Sequence, residues 1–167
     1  QVLMVNLVTD GLPAVALARD PASRGTMRRE PRPQGRLLGR DLEFALGLAG
    51  VSIGLAATAA YLAGWELAPE AAQTMAFATI ALAELLFVFS TRSPHAPAWR
   101  GPRNPLLVAS VVLSAALVAL VVYLTPVQGA FGTVSLGARE LALVLGLAAL
   151  PTALVELAKA VRRRRSR

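Results

Sequence analysis

Long apolar stretches alternate with short polar segments along the whole chain. A helix that crosses the roughly 30 Å hydrocarbon core of a bilayer needs about 20 mostly apolar residues. Four stretches reach this length, and a fifth reaches it if a few residues precede Gln1. Irregular backbone cannot face lipid, so each stretch should be helical. The pattern predicts an all-α membrane protein, a single domain over residues 1–167. Its bundle of five transmembrane helices is expected at about 1–18, 42–62, 72–89, 105–124 and 141–161.

The composition agrees with a membrane protein and narrows the chemistry. Hydrophobic residues make up 55% of the chain and charged residues 16%, a balance typical of membrane proteins. Cysteine is absent, which excludes disulfides and thiolate metal sites. A net charge of +7 could indicate nucleic acid, but aromatic residues are only 5% and the basic residues separate apolar stretches. We therefore expect a lipid bilayer as partner and no nucleic acid.

The basic residues predict the orientation of the helices. Except for Arg139, all of them lie in segments 19–40 and 90–104 or in the tail from Lys159 onward, and segments 63–71 and 125–138 carry none. Basic loops stay on the cytoplasmic side. We expect an integral protein of the plasma membrane with a cytoplasmic C-terminus. Segment 19–40 either sets the topology against anionic lipid headgroups or also binds a protein partner.

Two carboxylates, Asp10 and Glu84, are predicted to lie deep in the membrane, where ionisable groups are costly and usually functional. The other acidic residues of the apolar segments, Glu156 among them, are placed at helix ends, where water is available. Asp10 precedes Arg19 by nine residues and Glu84 precedes Arg92 by eight. The two carboxylates should therefore lie about 13 and 12 Å from the basic ends of their helices. If these helices are neighbours, both carboxylates can share one ligand.

The residues around Asp10 predict an interrupted helix. Pro13 has no amide hydrogen, so the carbonyl of Thr9 loses its helical partner, and Gly11 adds a weak point. We expect the first helix to be broken at Gly11–Pro13. Asn6 lies one turn before Asp10, on the same helical face. Freed carbonyls beside a carboxylate at a broken helix coordinate cations in several transporters.

The predicted metal site contains oxygen ligands only, supplied by Asn6, Thr9, Asp10 and Glu84. Oxygen ligands suit hard cations, so we expect Ca²⁺, Mg²⁺ or Mn²⁺. Ca²⁺ takes six to eight oxygens, so further ligands should come from helices outside this chain. For Asn6 and Thr9, each taken alone, hydrogen bonding between helices is the simpler function. The sequence has no glycine-rich phosphate loop and no Ser-His-Asp or Cys-His set that would indicate catalysis.

At these residues the sequence resembles the P-type cation-transporting ATPases, most closely the type II calcium pumps. "QVLMVNLVTDGLPAVALARDP" is similar to their sixth transmembrane helix, and "QTMAFATIALAELLFVFSTRS" to their eighth, with Glu84 at an acidic ligand position. "NPLLVASVVLSAALVALVVYLTP" resembles the ninth, and "LALVLGLAALPTALVELAKAVRRR", with its Glu-x-x-Lys, the tenth.

The resemblance implies that Asn6, Thr9, Asp10 and Glu84 bind the transported cation, and it makes Ca²⁺ the expected ion, with Mg²⁺ or Mn²⁺ as alternatives. It also implies that ATP and Mg²⁺ act in cytoplasmic domains that this chain lacks. The chain would then be the sector from the sixth to the tenth helix, its partner would be the N-terminal part of the pump, and it would be inactive as an enzyme alone. The rival hypothesis is a stand-alone or remnant membrane protein that binds a partner without transport.

Overall fold

The computed structural model describes residues 11–19, 40–92 and 104–165, and within these ranges the regular structure is entirely helical. Four long helices and two short ones follow one another in the described ranges. In order they are α1 Gly11–Ala18, α2 Arg40–Trp65, α3 Pro69–Thr91, α4 Pro105–Tyr123, α5 Thr125–Phe131 and α6 Ala138–Arg165.

The four complete spans expected from the sequence are confirmed as helices, each close to its predicted bounds. By length and composition, Glu43–Trp65, Pro69–Thr91, Pro105–Tyr123 and Ala138–Arg162 could each cross a membrane. Of the first predicted span, only the last part, α1, lies within the described residues. The predicted break at Gly11–Pro13 depends on residues 1–10, which lie outside them.

The central helix of the bundle is α3, which contacts α2, α4 and α6. Half of the residues in its 18-residue apolar stretch are buried, against a third or less in the corresponding stretches of the other three long helices. The short helix α1 packs against α4. Because α3 has neighbours on most sides, a polar group on this helix meets protein rather than lipid over much of its circumference.

Buried positions recur every three or four residues on the outer helices, so that each presents one stripe to its neighbours. The stripe of α2 is made of small residues, which let membrane helices approach closely: Ala45, Ala49, Ser52, Ala56 and Ala60. The opposite faces expose large apolar side chains, as Val51, Leu55 and Val112 do, each more than 60% accessible. Apolar exposure of this extent suits contact with lipid.

The helix termini lie at two opposite ends of the bundle. The end of the bundle where α1, α3 and α6 finish and α2 and α4 start is here called the basic end, since it carries the flanks of the basic segments. At this end the guanidinium of Arg162 lies 4.5 Å from the ring centroid of Phe44, which joins the end of α6 to the start of α2. The opposite end holds the α2–α3 turn and the α4–α6 connection.

The connection from α4 to α6 contains α5, which the sequence analysis did not predict. Pro126 stands in the first turn of α5, where its missing N–H costs nothing. Gly132 ends the helix with φ of 62°, a conformation that glycine adopts without steric cost. Polar side chains then hold the following segment on the bundle: Thr133 Oγ1 donates to the Val121 carbonyl at 2.6 Å, and Val134 N–H donates to Thr74 Oγ1 at 3.0 Å.

Candidate functional site

Glu84, one of the four predicted ligands, lies in the interior of α3, and its side chain is partly buried. It precedes Ser90, at the basic end of the same helix, by six residues, or about 9 Å along the axis. The carboxylate is thus carried by the helix that has the most protein around it.

The other three predicted ligands, Asn6, Thr9 and Asp10, lie outside the described residues. The segment that directly follows them is α1, which packs on α4 and buries Pro13 and Ala16. The same helix α4 also contacts α3. Within residues 11–19, 40–92 and 104–165, no three acidic, histidine or cysteine side chains come together as metal ligands.

Asn104 links α1 to α4 at the basic end. It is the N-cap residue of α4, where its Oδ1 accepts a hydrogen bond of 3.0 Å from Leu107 N–H. Its Nδ2 donates to the carbonyl of Ala16, in the last turn of α1, at 3.1 Å. The side chain is 7% exposed. The last carbonyls of a helix lack intrahelical partners, so one amide serves the start of one helix and the end of another.

A second polar group, here called the basic-end cluster, joins α3 to α6 and consists of Ser90, Glu156 and Lys159. The Lys159 ammonium donates to the Ser90 carbonyl at 2.6 Å, to Ser90 Oγ at 2.9 Å and to Glu156 Oε1 at 2.8 Å. Ser90 Oγ donates to the same Glu156 oxygen. Because an ammonium has three N–H donors, all three are used.

The placement of Glu156 in water, expected from its position near a helix end, is wrong. Its side chain is only 12% exposed and that of Lys159 only 6%. Lys159 lies on the buried stripe of α6, whose members are Val144, Ala148, Pro151, Val155 and Lys159. Glu156 is the residue next to Val155 in this stripe. Extending this spacing to Lys159 could have identified the cluster, but the sequence analysis counted this lysine with the basic tail.

The opposite end of the bundle has an open cavity of about 220 Å³ where the α2–α3 turn meets the start of α6. Its charged lining residues are Glu66, Arg139 and Glu140, and its apolar floor includes Met75 and Leu143. Glu66 and Arg139 are exposed to solvent. This cavity lies at the other end of the bundle from Asn104 and the basic-end cluster.

Comparison with known proteins assigns the family. Residues 1–161 match the family model described as "Cation transporting ATPase, C-terminus". The chain belongs to the P-type cation-transporting ATPases. As a member of this family with four apolar spans among the residues that the structure describes, it is an integral membrane protein. The match includes the predicted ligands, Asn104 and the basic-end cluster, so all of these belong to the C-terminal part of such an ATPase.

The relatives of this ATPase segment include several proteins named as calcium-transporting ATPases. The chain is 40% identical to the calcium-transporting ATPase of Bacillus subtilis over 93% of its own length and 18% of the relative's. It is 32% identical to one from Listeria monocytogenes, over 96% and 19%. With calcium-transporting ATPase type 2C member 2 of Mus musculus it shares 33% identity, over 95% and 18%. The chain therefore spans about a fifth of the length of these relatives.

Proposed function

We propose that this chain is the C-terminal transport sector of an ATP-driven pump for Ca²⁺, and that Asn6, Thr9, Asp10 and Glu84 bind the transported ion. The match to the ATPase C-terminal family over residues 1–161 carries the proposal. Relatives named as calcium-transporting ATPases favour Ca²⁺ over Mg²⁺ or Mn²⁺. The all-oxygen ligand set is compatible with each of these ions.

The proposed architecture is a bundle of five transmembrane helices over residues 1–167. Its first helix, about 1–18, is interrupted at Gly11–Pro13 so that freed carbonyls lie beside Asp10. Two observations support this arrangement. Glu84 is carried by the most enclosed helix, and α4 contacts both α3 and the segment that follows Asp10. A carboxylate inside the membrane is costly unless it has a partner. Near the middle of the bundle, a bound cation and its other protein ligands can be that partner.

The proposed orientation places the basic end in the cytoplasm of a plasma-membrane pump. The described ends of α1, α3 and α6 and the starts of α2 and α4 flank the basic segments, as the rule for cytoplasmic loops requires. The remaining ligands, the ATP and its Mg²⁺ would be bound by the N-terminal part of the pump, which is the proposed partner of this sector.

The test uses the complete pump, reconstituted in vesicles, and measures phosphorylation by ATP as a function of free Ca²⁺. Asp10→Asn and Glu84→Gln remove one ligand charge each while keeping side-chain size. Each should weaken the apparent Ca²⁺ affinity by at least about tenfold or abolish Ca²⁺-dependent phosphorylation, because the affinity of an oxygen-ligand site depends on the number of its charged ligands. Repeating the titration with Mn²⁺ and Mg²⁺ identifies the ion.

The matched control is Glu70→Gln, which removes an exposed carboxylate from the first turn of the same helix α3. Its phosphorylation should depend on free Ca²⁺ in the same way as that of the unaltered pump. Wild-type Ca²⁺ affinity in Asp10→Asn and Glu84→Gln would overturn the ligand assignment. If the coding sequence upstream of Gln1 held neither the earlier helices nor an Asp-Lys-Thr-Gly motif, the pump itself would be refuted in favour of a stand-alone membrane protein.

A further inference from the structure

The basic-end cluster supplies directional contacts between α3 and α6. Lys159 is 7% exposed and Ser90 only 2%, so their hydrogen bonds form out of reach of water. Other buried residues of α6, Val144, Ala148 and Val155, have no polar side-chain atoms. Apolar contacts of this kind tolerate sliding and repacking, whereas a buried polar cluster has one satisfied arrangement.

One acceptor in the cluster is a backbone atom of α3. Ser90 lies in the last turn of this helix, where carbonyls have no intrahelical partner. The 2.6 Å bond from Lys159 Nζ satisfies the Ser90 carbonyl and places a positive charge at the negative end of the helix dipole. Lys159 therefore holds the backbone of α3, and through it every residue along that helix.

Glu84 lies six residues before Ser90 on the same helix, about 9 Å away. An α-helix transmits an axial displacement along its length with little change. A shift of α3 at Ser90 would therefore also move the Glu84 carboxylate relative to α6. Functional side chains need to be held within about 0.5 Å of their productive position, and a helix that slides or frays at its end exceeds that tolerance.

We propose that Lys159, with Glu156 as its oriented counter-ion, is a positioning residue of the transport site that fixes α3 against α6 and so sets the height of Glu84. The proposal rests on the proposed function, in which Glu84 binds the cation. Registry of one element against another is the best-attested use of buried polar groups within an apolar interface. In this arrangement α3 and α6 act as one unit while the cation is bound.

The experiment measures Ca²⁺-dependent phosphorylation of the complete pump in three variants of the cluster. Lys159→Met removes every donor to Ser90 but keeps the length of the side chain. Glu156→Gln with Lys159→Met removes both charges together, so that no lone buried carboxylate is left. Lys159→Arg keeps a cationic donor that can reach the Ser90 carbonyl. The control Arg164→Met removes a positive charge from an exposed position on the same helix.

If Lys159 positions Glu84, loss of Lys159 should change the apparent Ca²⁺ affinity and leave the maximal phosphorylation level nearly unchanged. The single Lys159→Met variant and the double variant should both lower the apparent Ca²⁺ affinity, on the order of tenfold, as one misplaced charged ligand would. The maximal phosphorylation level at saturating Ca²⁺ should stay close to normal. Lys159→Arg should recover part of the affinity, and Arg164→Met should match the unaltered pump.

Two results would overturn the proposal. In one, the double variant has normal Ca²⁺ affinity, which would show that the single variant suffers only from its unpaired carboxylate. In the other, every variant loses maximal level without a change in affinity, as expected of a cluster that only stabilises the fold. The Glu84→Gln variant distinguishes failure of the positioning proposal from failure of the proposed function. A defective Glu84→Gln with a normal double variant refutes positioning alone, and a normal Glu84→Gln refutes both.

Discussion

The side-chain amide of Asn104 donates a hydrogen bond of 3.1 Å to the carbonyl oxygen of Ala16, a residue 88 positions earlier in the chain. The same side chain accepts from Leu107 N–H and so caps α4. One buried amide therefore joins the end of the segment that follows Asp10 to the start of a neighbouring helix. The two functions of this side chain can be separated by mutation.

Asn104→Ala should destabilise the membrane sector by about 1–2 kcal/mol, because it removes an N-cap and leaves the Ala16 carbonyl with one hydrogen bond fewer. Asn104→Asp keeps the cap acceptor and adds a negative charge that the start of α4 favours, but it replaces the donor to Ala16 with a carboxylate oxygen. The measurement is the temperature at which the detergent-solubilised pump loses Ca²⁺-dependent phosphorylation. We expect the inactivation temperature to fall by several degrees in Asn104→Ala and by less in Asn104→Asp.

The two Asn104 variants also test the contact between Asn104 and α1. If the bond to Ala16 helps to hold the segment that carries Asp10, Asn104→Asp should weaken the apparent Ca²⁺ affinity even where the inactivation temperature changes little. Equal inactivation temperatures for the alanine variant and the unaltered pump would contradict the prediction that the cap and the link stabilise this end.

Gly64→Ala should disrupt the turn between α2 and α3. A Cβ at position 64 would lie 2.6 Å from the Cα and 2.8 Å from the nitrogen of Ala72, and backbone atoms cannot rotate away as a flexible side chain can. The two helices would have to separate, at a cost of about 1–3 kcal/mol. The loss should appear as a lower inactivation temperature and a lower yield of folded protein.

The control is Gly50→Ala on the same helix, where a Cβ would meet no atom within 4 Å. Alanine inside a helix is favoured over glycine by about 0.5–1 kcal/mol, so this variant should be as stable as the unaltered pump or slightly more stable. If Gly64→Ala behaved like Gly50→Ala, the close approach of α2 and α3 would not constrain this turn.

The orientation of the bundle can be tested by labelling, because the chain contains no cysteine of its own. Ser135 lies in the connection at the opposite end, and Arg164 lies at the basic end; both are exposed. In intact cells, with other cysteines of the pump replaced, a membrane-impermeant maleimide should label Ser135→Cys. It should label Arg164→Cys only after the membrane is permeabilised, since basic ends remain cytoplasmic. The reverse pattern would invert the proposed topology.

The sequence by itself determined that the chain forms apolar membrane helices, because about 20 apolar residues in a row have few stable alternatives. The helices predicted at 42–62 and 105–124 agree with α2 and α4 to within a few residues. Family membership was also accessible from sequence, through the motif around Asp10 and the apolar segments that follow it.

Only the tertiary structure decided how the helices are joined. The placement of Lys159 depended on which face of α6 meets α3. A lysine six residues before the end of α6 is equally compatible with a topogenic tail and with a buried cluster. The Asn104–Ala16 bond spans 88 positions, and no local pattern encodes such a pairing. Hydropathy depends on each segment alone, whereas a hydrogen bond between helices depends on the rotation and height of both, which packing of the whole bundle determines.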